Sequence, residues 1–293
     1  MAVVLESLAT LSVLVFVVTS MLAMGLSLTV GQILDPLGDL RLVAKALVAN
    51  FVLVPIVAYL ILLMIPLTEA QSVGLILLAT AAGAPFLPKL VEVAKADVAF
   101  GVGLMVLLMV VTVAYVPIVL PFLLPGVQVN PLEIASSLVV LMLLPLAAGL
   151  FVNARYGDTA ERLQPTVNQV STTALVFLVV LMLVLNFETL LSVVGTGVLV
   201  AFAILIAVSL AVGWLLGGPA AETRPVLGLG TAQRNVAAAL VVGAANFDDP
   251  NVVVMLVVGA TLMGLLIVLA GELGRRTGRQ QPLPITEEAT YED

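Results

Sequence analysis

Cysteine and histidine are both missing from the chain. Their absence removes disulfides, thiolate nucleophiles, imidazole bases and imidazole metal ligands. Charge is scarce as well: Asp, Glu, Lys and Arg together make up 10% of the 293 residues. The net charge of -7 carries little weight, because four acids crowd the last seven positions. What fills the chain is aliphatic: 62% of residues are hydrophobic and the mean hydropathy is +1.25. A soluble domain has no use for that much apolar surface, so the chain reads as a polytopic membrane protein in contact with a lipid bilayer. In hydrocarbon every backbone polar group must be paired within the protein, which leaves helices or closed barrels. Barrel strands alternate apolar and polar residues. These runs are continuously apolar, so the fold class is all-α. With no His, no Cys and no pair of embedded acids, no catalytic set is present and an enzyme is excluded. No ring-forming filter or pore motif appears, which argues against a channel.

Cutting at charges, prolines and polar clusters predicts nine spans, near 6–30, 41–65, 71–95, 97–121, 132–152, 165–187, 192–216, 226–247 and 251–273. The run up to Val30 lacks the basic start of a cleaved signal and reads as the first span. With nine spans, ten of the eleven basic residues fall on one side. They are Arg41, Lys45, Lys89, Lys95, Arg155, Arg162, Arg224, Arg275, Arg276 and Arg279. The alternate loops carry Glu69, Glu133, Glu188, Asp248 and Asp249 instead. The excess of positive charge in cytoplasmic loops then places the N-terminus outside and the C-terminus in the cytoplasm of a plasma (inner) membrane. Residues 280–293 are polar and proline-bearing and read as a disordered tail.

The eleventh basic residue, Arg234, lies inside an apolar span, beside Thr231, Gln233 and Asn235. A charge at that depth costs at least about 2.5 kcal/mol and usually marks a pathway. Gly228 and Gly230 weaken the first half of this span, and Asn235 is a good N-cap for a second half from Val236 to Ala245. Span three carries Gly83, Pro85 and Pro88 within six residues, with Pro88 suited to the first turn of a new half-helix from Lys89 to Ala96. Two interrupted spans, five positions apart, predict an inverted-repeat transporter with broken helices meeting near the midplane. Pro55, Pro117, Pro121 and Pro145 stand alone and read as kinks or helix ends.

Several short motifs now matter together. Ser20-Met21-Leu22-Ala23-Met24-Gly25-Leu26-Ser27-Leu28 contains M-G-L-x-L. Asn50-Phe51-Val52-Leu53-Val54-Pro55 looks like Q-F-V-L-M-P, and Ala94-Lys95-Ala96-Asp97-Val98-Ala99 is similar to A-K-G-D-V-A. Arg234-Asn235-Val236-Ala237-Ala238-Ala239-Leu240 looks like Q-N-x-G-L-A-L. In these motifs, their order and their spacing, from about residue 15 to 272, the chain resembles the bile acid:sodium symporter family. The resemblance implies two inverted repeats, a panel domain and a core domain, and alternating access for an organic anion. The panel is expected at 1–30 and 132–190. The core is expected at 41–121 and 191–274, with 275–293 as the cytoplasmic tail. The family's first helix has no counterpart, which agrees with nine spans.

The resemblance also implies two sodium sites, and here the chain departs from the pattern. The positions carried over as sodium ligands are Leu87, Pro88, Gly101, Met105 and Gly230, none of which has a side-chain oxygen. Arg234 falls where a ligand glutamine is expected, and Asn50 where a supporting glutamine is. Sodium coupling is therefore left open, and Arg234 and Lys89 are expected to stand where the two ions would sit. For Arg234 three roles are open: contact with the substrate, replacement of an ion, or snorkelling. Lys89 has the alternative of snorkelling to the cytoplasmic end. Glu92 is the one carboxylate expected to be deep enough to pair with either base. The expected substrate-binding set is Arg234, Asn235, Gln233, Thr231, Phe86, Pro88, Lys89 and Asn50. Gln233 and Thr231 either line a cavity or pack, and the same choice stands for Phe86. The expected function is a secondary transporter, or symporter, of a small organic anion, bile-acid-like or another carboxylate. The alternative is a non-transporting sensor or scaffold that keeps the fold. No cofactor is expected beyond the doubtful sodium. No nucleic-acid partner is expected, and the chain is expected as a monomer or homodimer.

Overall fold

A computed structural model describes residues 2–124, 130–185, 195–220 and 222–278. Glu188, Arg279, the 190/191 domain boundary and the tail from 279 on lie outside the described residues. Every regular element described is helical. The helices are α1 (Ala2–Ser27), α2 (Val30–Leu34), α3 (Leu40–Met64), α4 (Glu69–Thr80), α5 (Leu87–Val93) and α6 (Val98–Leu123). They continue as α7 (Pro131–Arg155), α8 (Gly157–Leu185), α9 (Val198–Leu216), α10 (Thr223–Ala232), α11 (Val236–Asn246), α12 (Pro250–Met263) and α13 (Leu266–Gly278).

Among the described residues six helical segments are long and apolar enough to cross a bilayer, or seven if the bent pair at the end of α1 counts as one span. One of the six is the interrupted stretch Thr223–Asn246, and another runs through α12 and α13. α4 and α5, with 12 and 7 residues, are each too short to cross alone. The outward faces carry exposed Met64, Phe122, Phe151, Leu215 and Val268. Such a belt would aggregate in water and is natural against lipid.

Three boundaries differ from the sequence expectation. The first span does not run to Val30: α1 stops at Ser27 and the chain bends by 102°. The cause is a capping box: Thr29 Oγ1 accepts from Gln32 N at 3.2 Å, and Gln32 Oε1 accepts from Thr29 N at 2.8 Å. α8 begins at Gly157 rather than 165, with Pro165 inside it. The tail drawn from 275 starts later, because α13 continues to Gly278. There Glu272 bonds Arg275 at 2.6 Å and Arg276 at 2.9 Å across one turn.

Two sets of helices pack most extensively within themselves, and α1 and α7 also pack on α11. α1 lies along α7 and α8. Gly25 and Gly149 allow this, since a Cβ on Gly149 would stand 2.8 Å from Gly25 Cα. In the other group α9 packs on α10 and α3, α12 on α4, and α6 on α4, α5 and α10. At one end Asp97 N donates to Glu222 O at 3.2 Å and α13 packs on α5, which gathers Lys95, Arg224, Arg275 and Arg276.

Candidate binding site at the crossing of two broken helices

The chain between α4 and α5 has no helix to satisfy its backbone, and its residues Ala81, Ala82 and Ala84 are buried. Each polar group therefore needs a named partner. Asn235 N donates to Ala81 O at 2.9 Å. Thr112 Oγ1 accepts from Ala82 N at 2.9 Å and donates to Ala82 O at 3.0 Å. Asn235 Nδ2 donates to Gly83 O at 2.9 Å. Gly83 sits at φ 79° with its α-carbon flush against the backbone of α6 at Met105 and Met109. Only glycine has both the conformation and the room. α5 then begins at Leu87, with Pro88 in its first turn, and ends at Val93. The half-helix expected from Lys89 to Ala96 is thus earlier and shorter, because Lys95 at φ 53° terminates it.

The second break lies against the first. α10 ends at Ala232, and Asn235 opens α11 as expected, its Oδ1 accepting from Ala238 N at 3.0 Å. One asparagine therefore caps its own half-helix and holds both the loop and a carbonyl of the other break.

Arg234 is 1% exposed. Its Nε donates to Leu78 O at 3.0 Å. Nη1 donates to Asn50 Oδ1 at 2.6 Å and to Thr231 O at 3.2 Å. Nη2 donates to Ala79 O at 2.7 Å and to Asn50 O at 3.5 Å. A guanidinium has five N–H donors, and all five are used. Every donor is thus spent within the protein, so the side chain does not snorkel; Arg234 nevertheless also lines the cleft described below. The acceptors exist for stated reasons. Leu78, Ala79 and Thr231 are in last turns, where carbonyls lack helical partners. A π turn spans Ala49–Leu53, so Val54 N bonds Ala49 O instead of Asn50 O. Pro55 has no N–H, and Phe51 O, four residues earlier, accepts from Tyr115 Oη at 2.6 Å. Pro55 is thus not a plain kink: its missing donor frees backbone oxygens at the crossing.

Asn50 and Thr231, also in the expected substrate set, are not among the residues that line that cleft. Both are fully buried, and Asn50 Nδ2 donates to Ala46 O at 3.0 Å and Thr231 Oγ1 at 3.3 Å. Lys89 does not stand at the crossing. Its Nζ pairs with Glu92 at 2.9 Å, with side chains 57% and 61% exposed. Placed one turn apart on the short α5, the two charges find each other at the surface, so Glu92 is not a deep partner either. Asn235 has its polar atoms committed to Ala81, Ala238 and Gly83, and Pro88 lies on a separate wall described below.

A cleft of about 330 Å³ lies between the crossing and the α1/α8 pair. Its walls include Phe16 and Ser20 of α1, Asn168 and Thr172 of α8, Phe86 of the first break, and Gln233, Val236 and Ala237 of the second. Arg234 lines it as well. A second cavity of about 280 Å³ shares Ser20, Pro85 and Asn168 with the first and continues past Pro88 and Lys89. Phe86 is a cleft wall, 46% exposed. Gln233 is 8% exposed, and its Oε1 has no hydrogen-bond partner. A buried amide oxygen left unsatisfied is uncommon; among the described residues Ser209 Oγ and Asn246 Oδ1 share that state. A larger groove of about 530 Å³ runs between α1 and α8 past Leu11, Val15 and Phe177. No residue of either break lines it, so its size gives it no claim on this chemistry.

Sequence reading missed the α8 wall. Gln164, Asn168, Ser171 and Thr172 share one face of α8, but Thr166, Gln169 and Thr173 are polar too and line another groove. The available signal was a polar run from 164 to 173 inside a predicted span, which does not say which face meets the cleft.

The carried-over sodium positions do not fit a hard cation, which takes oxygen ligands. Leu87 covers Gly230, its Cδ2 lying 3.1 Å from where a Cβ would stand, and Val91 covers Gly101 in the same way at 3.1 Å. Leu87 and Met105 are fully buried in this apolar packing.

Two interrupted helices meet at their breaks beside a cleft, an arrangement that occurs in helical membrane carriers. The chain belongs to the sodium bile acid symporter family, whose model matches residues 13–193, more than half its length. The match ends before α10 and α11, so Gln233, Arg234 and Asn235 lie outside it. No curated protein matches the chain.

Proposed function

We propose that the protein is a secondary transporter that carries a small organic anion by alternating access, with the cleft beside the crossing as its substrate site. One observation carries this reading: the cleft combines a buried guanidinium in its lining, the first turn of α11 on its wall and the unsatisfied amide oxygen of Gln233. The first two favour negative charge, and the third, an acceptor, suits a hydroxyl or N–H donor elsewhere on the substrate. At an effective dielectric near 20, a unit charge about 6 Å from an anion stabilises it by roughly 3 kcal/mol. Arg234 therefore attracts the anion through its field without giving up a hydrogen bond. Ser20 and Asn168 offer polar groups to hydroxyl or carbonyl substituents.

For movement, α1, α7 and α8 act as the panel and the remaining helices as the core. The hydrogen bonds through Asn235 and Arg234 tie the two breaks into one body, and a rigid shift of the panel past it opens the cleft to one side at a time. The same proposal takes α4 with α5 and α10 with α11 as corresponding members of an inverted repeat, in nine spans. It sets the end that bears Lys95, Arg224 and Arg275 in the cytoplasm of the plasma membrane.

The test is uptake by the reconstituted protein of a panel of labelled carboxylates, steroidal and simple, against protein-free vesicles. At least one is expected to be taken up, with Gln233→Ala raising the KM for it while the melting temperature is unchanged. Anion-induced thermal stabilisation with no flux for any member of the panel would replace the transporter by a sensor of the same fold.

A further inference from the structure

The guanidinium at the crossing has an environment of an unusual kind. Five neutral oxygens surround it: Leu78 O, Ala79 O, Thr231 O, Asn50 O and Asn50 Oδ1. They come from three separate elements, the last turns of α4 and α10 and the π turn of α3. Among the described residues no ion pair reaches Arg234. A buried charge is ordinarily matched by an opposite one. Here the negative ends of two half-helices and two amide carbonyls take that part. Rings of carbonyl oxygens are also how proteins replace the hydration shell of a free alkali cation. The shell has the composition of a monovalent-cation site, and its occupant is covalently attached.

The shell is empty of positive charge without Arg234. Leu78, Ala79, Thr231 and Asn50 would then leave their oxygens facing each other across the crossing. At the neighbouring carried-over positions Leu87 packs over Gly230 and Val91 over Gly101, so apolar side chains stand there.

We propose that Arg234 is a tethered cation: it fills from within the chain an oxygen shell that would otherwise take a free monovalent cation, so that folding needs no sodium and transport needs no sodium gradient. The folding half rests on the hydrogen bonds alone, and the transport half rests on the function proposed above.

The experiment separates the two. The melting temperature of the purified full chain is measured in sodium chloride and in choline chloride at equal ionic strength, for the wild type and for Arg234→Ala. The wild type is expected to melt at the same temperature in both. Arg234→Ala is expected to melt lower in choline, and to recover in part with sodium or with non-denaturing, low-millimolar guanidinium, which re-enter the vacated shell. A wild type stabilised by sodium, or an Arg234→Ala protein indifferent to every cation, overturns the proposal. If Arg234→Ala does not fold, Arg234→Lys supplies the comparison: it keeps a charge with fewer donors, and is expected to melt lower than the wild type and to ignore sodium. Sodium stabilisation of that variant overturns the tether. For the transport half, uptake with sodium equal on both sides is compared with uptake driven by an inward sodium gradient, and an unchanged rate is expected. Gradient-dependent uptake refutes the half about transport. Failure of every substrate to move refutes the function proposed above, while the melting comparison still decides the tether.

Discussion

At the residue scale, three consecutive side chains divide the labour at the crossing. Gln233 lines the cleft and holds a buried oxygen without a partner, Arg234 has every donor used, and Asn235 joins one break to the other. Asn235→Ala is therefore expected to lower stability by about 1–3 kcal/mol, from the lost cap on α11 and the carbonyl of Gly83 left without a donor. A fall in melting temperature in detergent checks this, together with faster hydrogen exchange at residues 81–86. Asn235→Asp retains the cap acceptor and loses the donor to Gly83, so it should fall between the wild type and the alanine variant. Gln233→Ala, in contrast, removes no hydrogen bond within the described residues and should leave melting unchanged while it weakens anion binding. The presence of an embedded Arg was plain in the sequence. Its saturation was not, because its acceptors come from residues 156 and 184 positions away.

At the element scale, the two breaks are built by different means. The first relies on glycine and proline, with Thr112 of α6 serving Ala82 from both sides. The second has no proline and relies on Asn235. Gly83→Ala is expected to be severe, because a left-handed alanine costs about 1 kcal/mol or more and its Cβ would meet the backbone of α6. Loss of a cooperative melting transition, or a drop in melting temperature larger than that of Asn235→Ala, is the expected result. The motif Ala94-Lys95-Ala96-Asp97-Val98-Ala99 also gains a physical meaning. Lys95 ends α5 in a left-handed turn, and Asp97 opens α6 by accepting from Phe100 N at 2.9 Å. Such local signals, caps and turn residues, are written in neighbouring positions and were legible. The π turn before Pro55 was not, since proline alone does not say which carbonyls it frees or what will bond to them.

At the scale of the whole molecule, the distribution of charge makes the clearest prediction. The protein contains no native cysteine, so single cysteines report topology directly. Cysteine placed at Glu69 or Asp249 should react with a membrane-impermeant maleimide in intact cells, whereas cysteine at Thr223 or Arg155 should react only after the membrane is opened. Labelling of all four from outside, or the reverse pattern, would refute the proposed orientation. The apolar belt formed by Met64, Phe122 and Leu215 was anticipated in kind from composition, but which residues face lipid depends on how each helix is rotated against its neighbours.

The sequence by itself determined the membrane setting, the all-helical class, the two interruptions and the family. These rest on hydropathy, periodicity, capping and short motifs, all carried by residues close together in the chain. Tertiary structure alone decided which oxygens the embedded charge meets. How far the donors of Arg234 are consumed within the protein depends on where Asn50, Leu78 and Ala79 arrive in space. Three elements deliver five oxygens to one guanidinium. Hydrogen bonding over that sequence separation leaves no local trace.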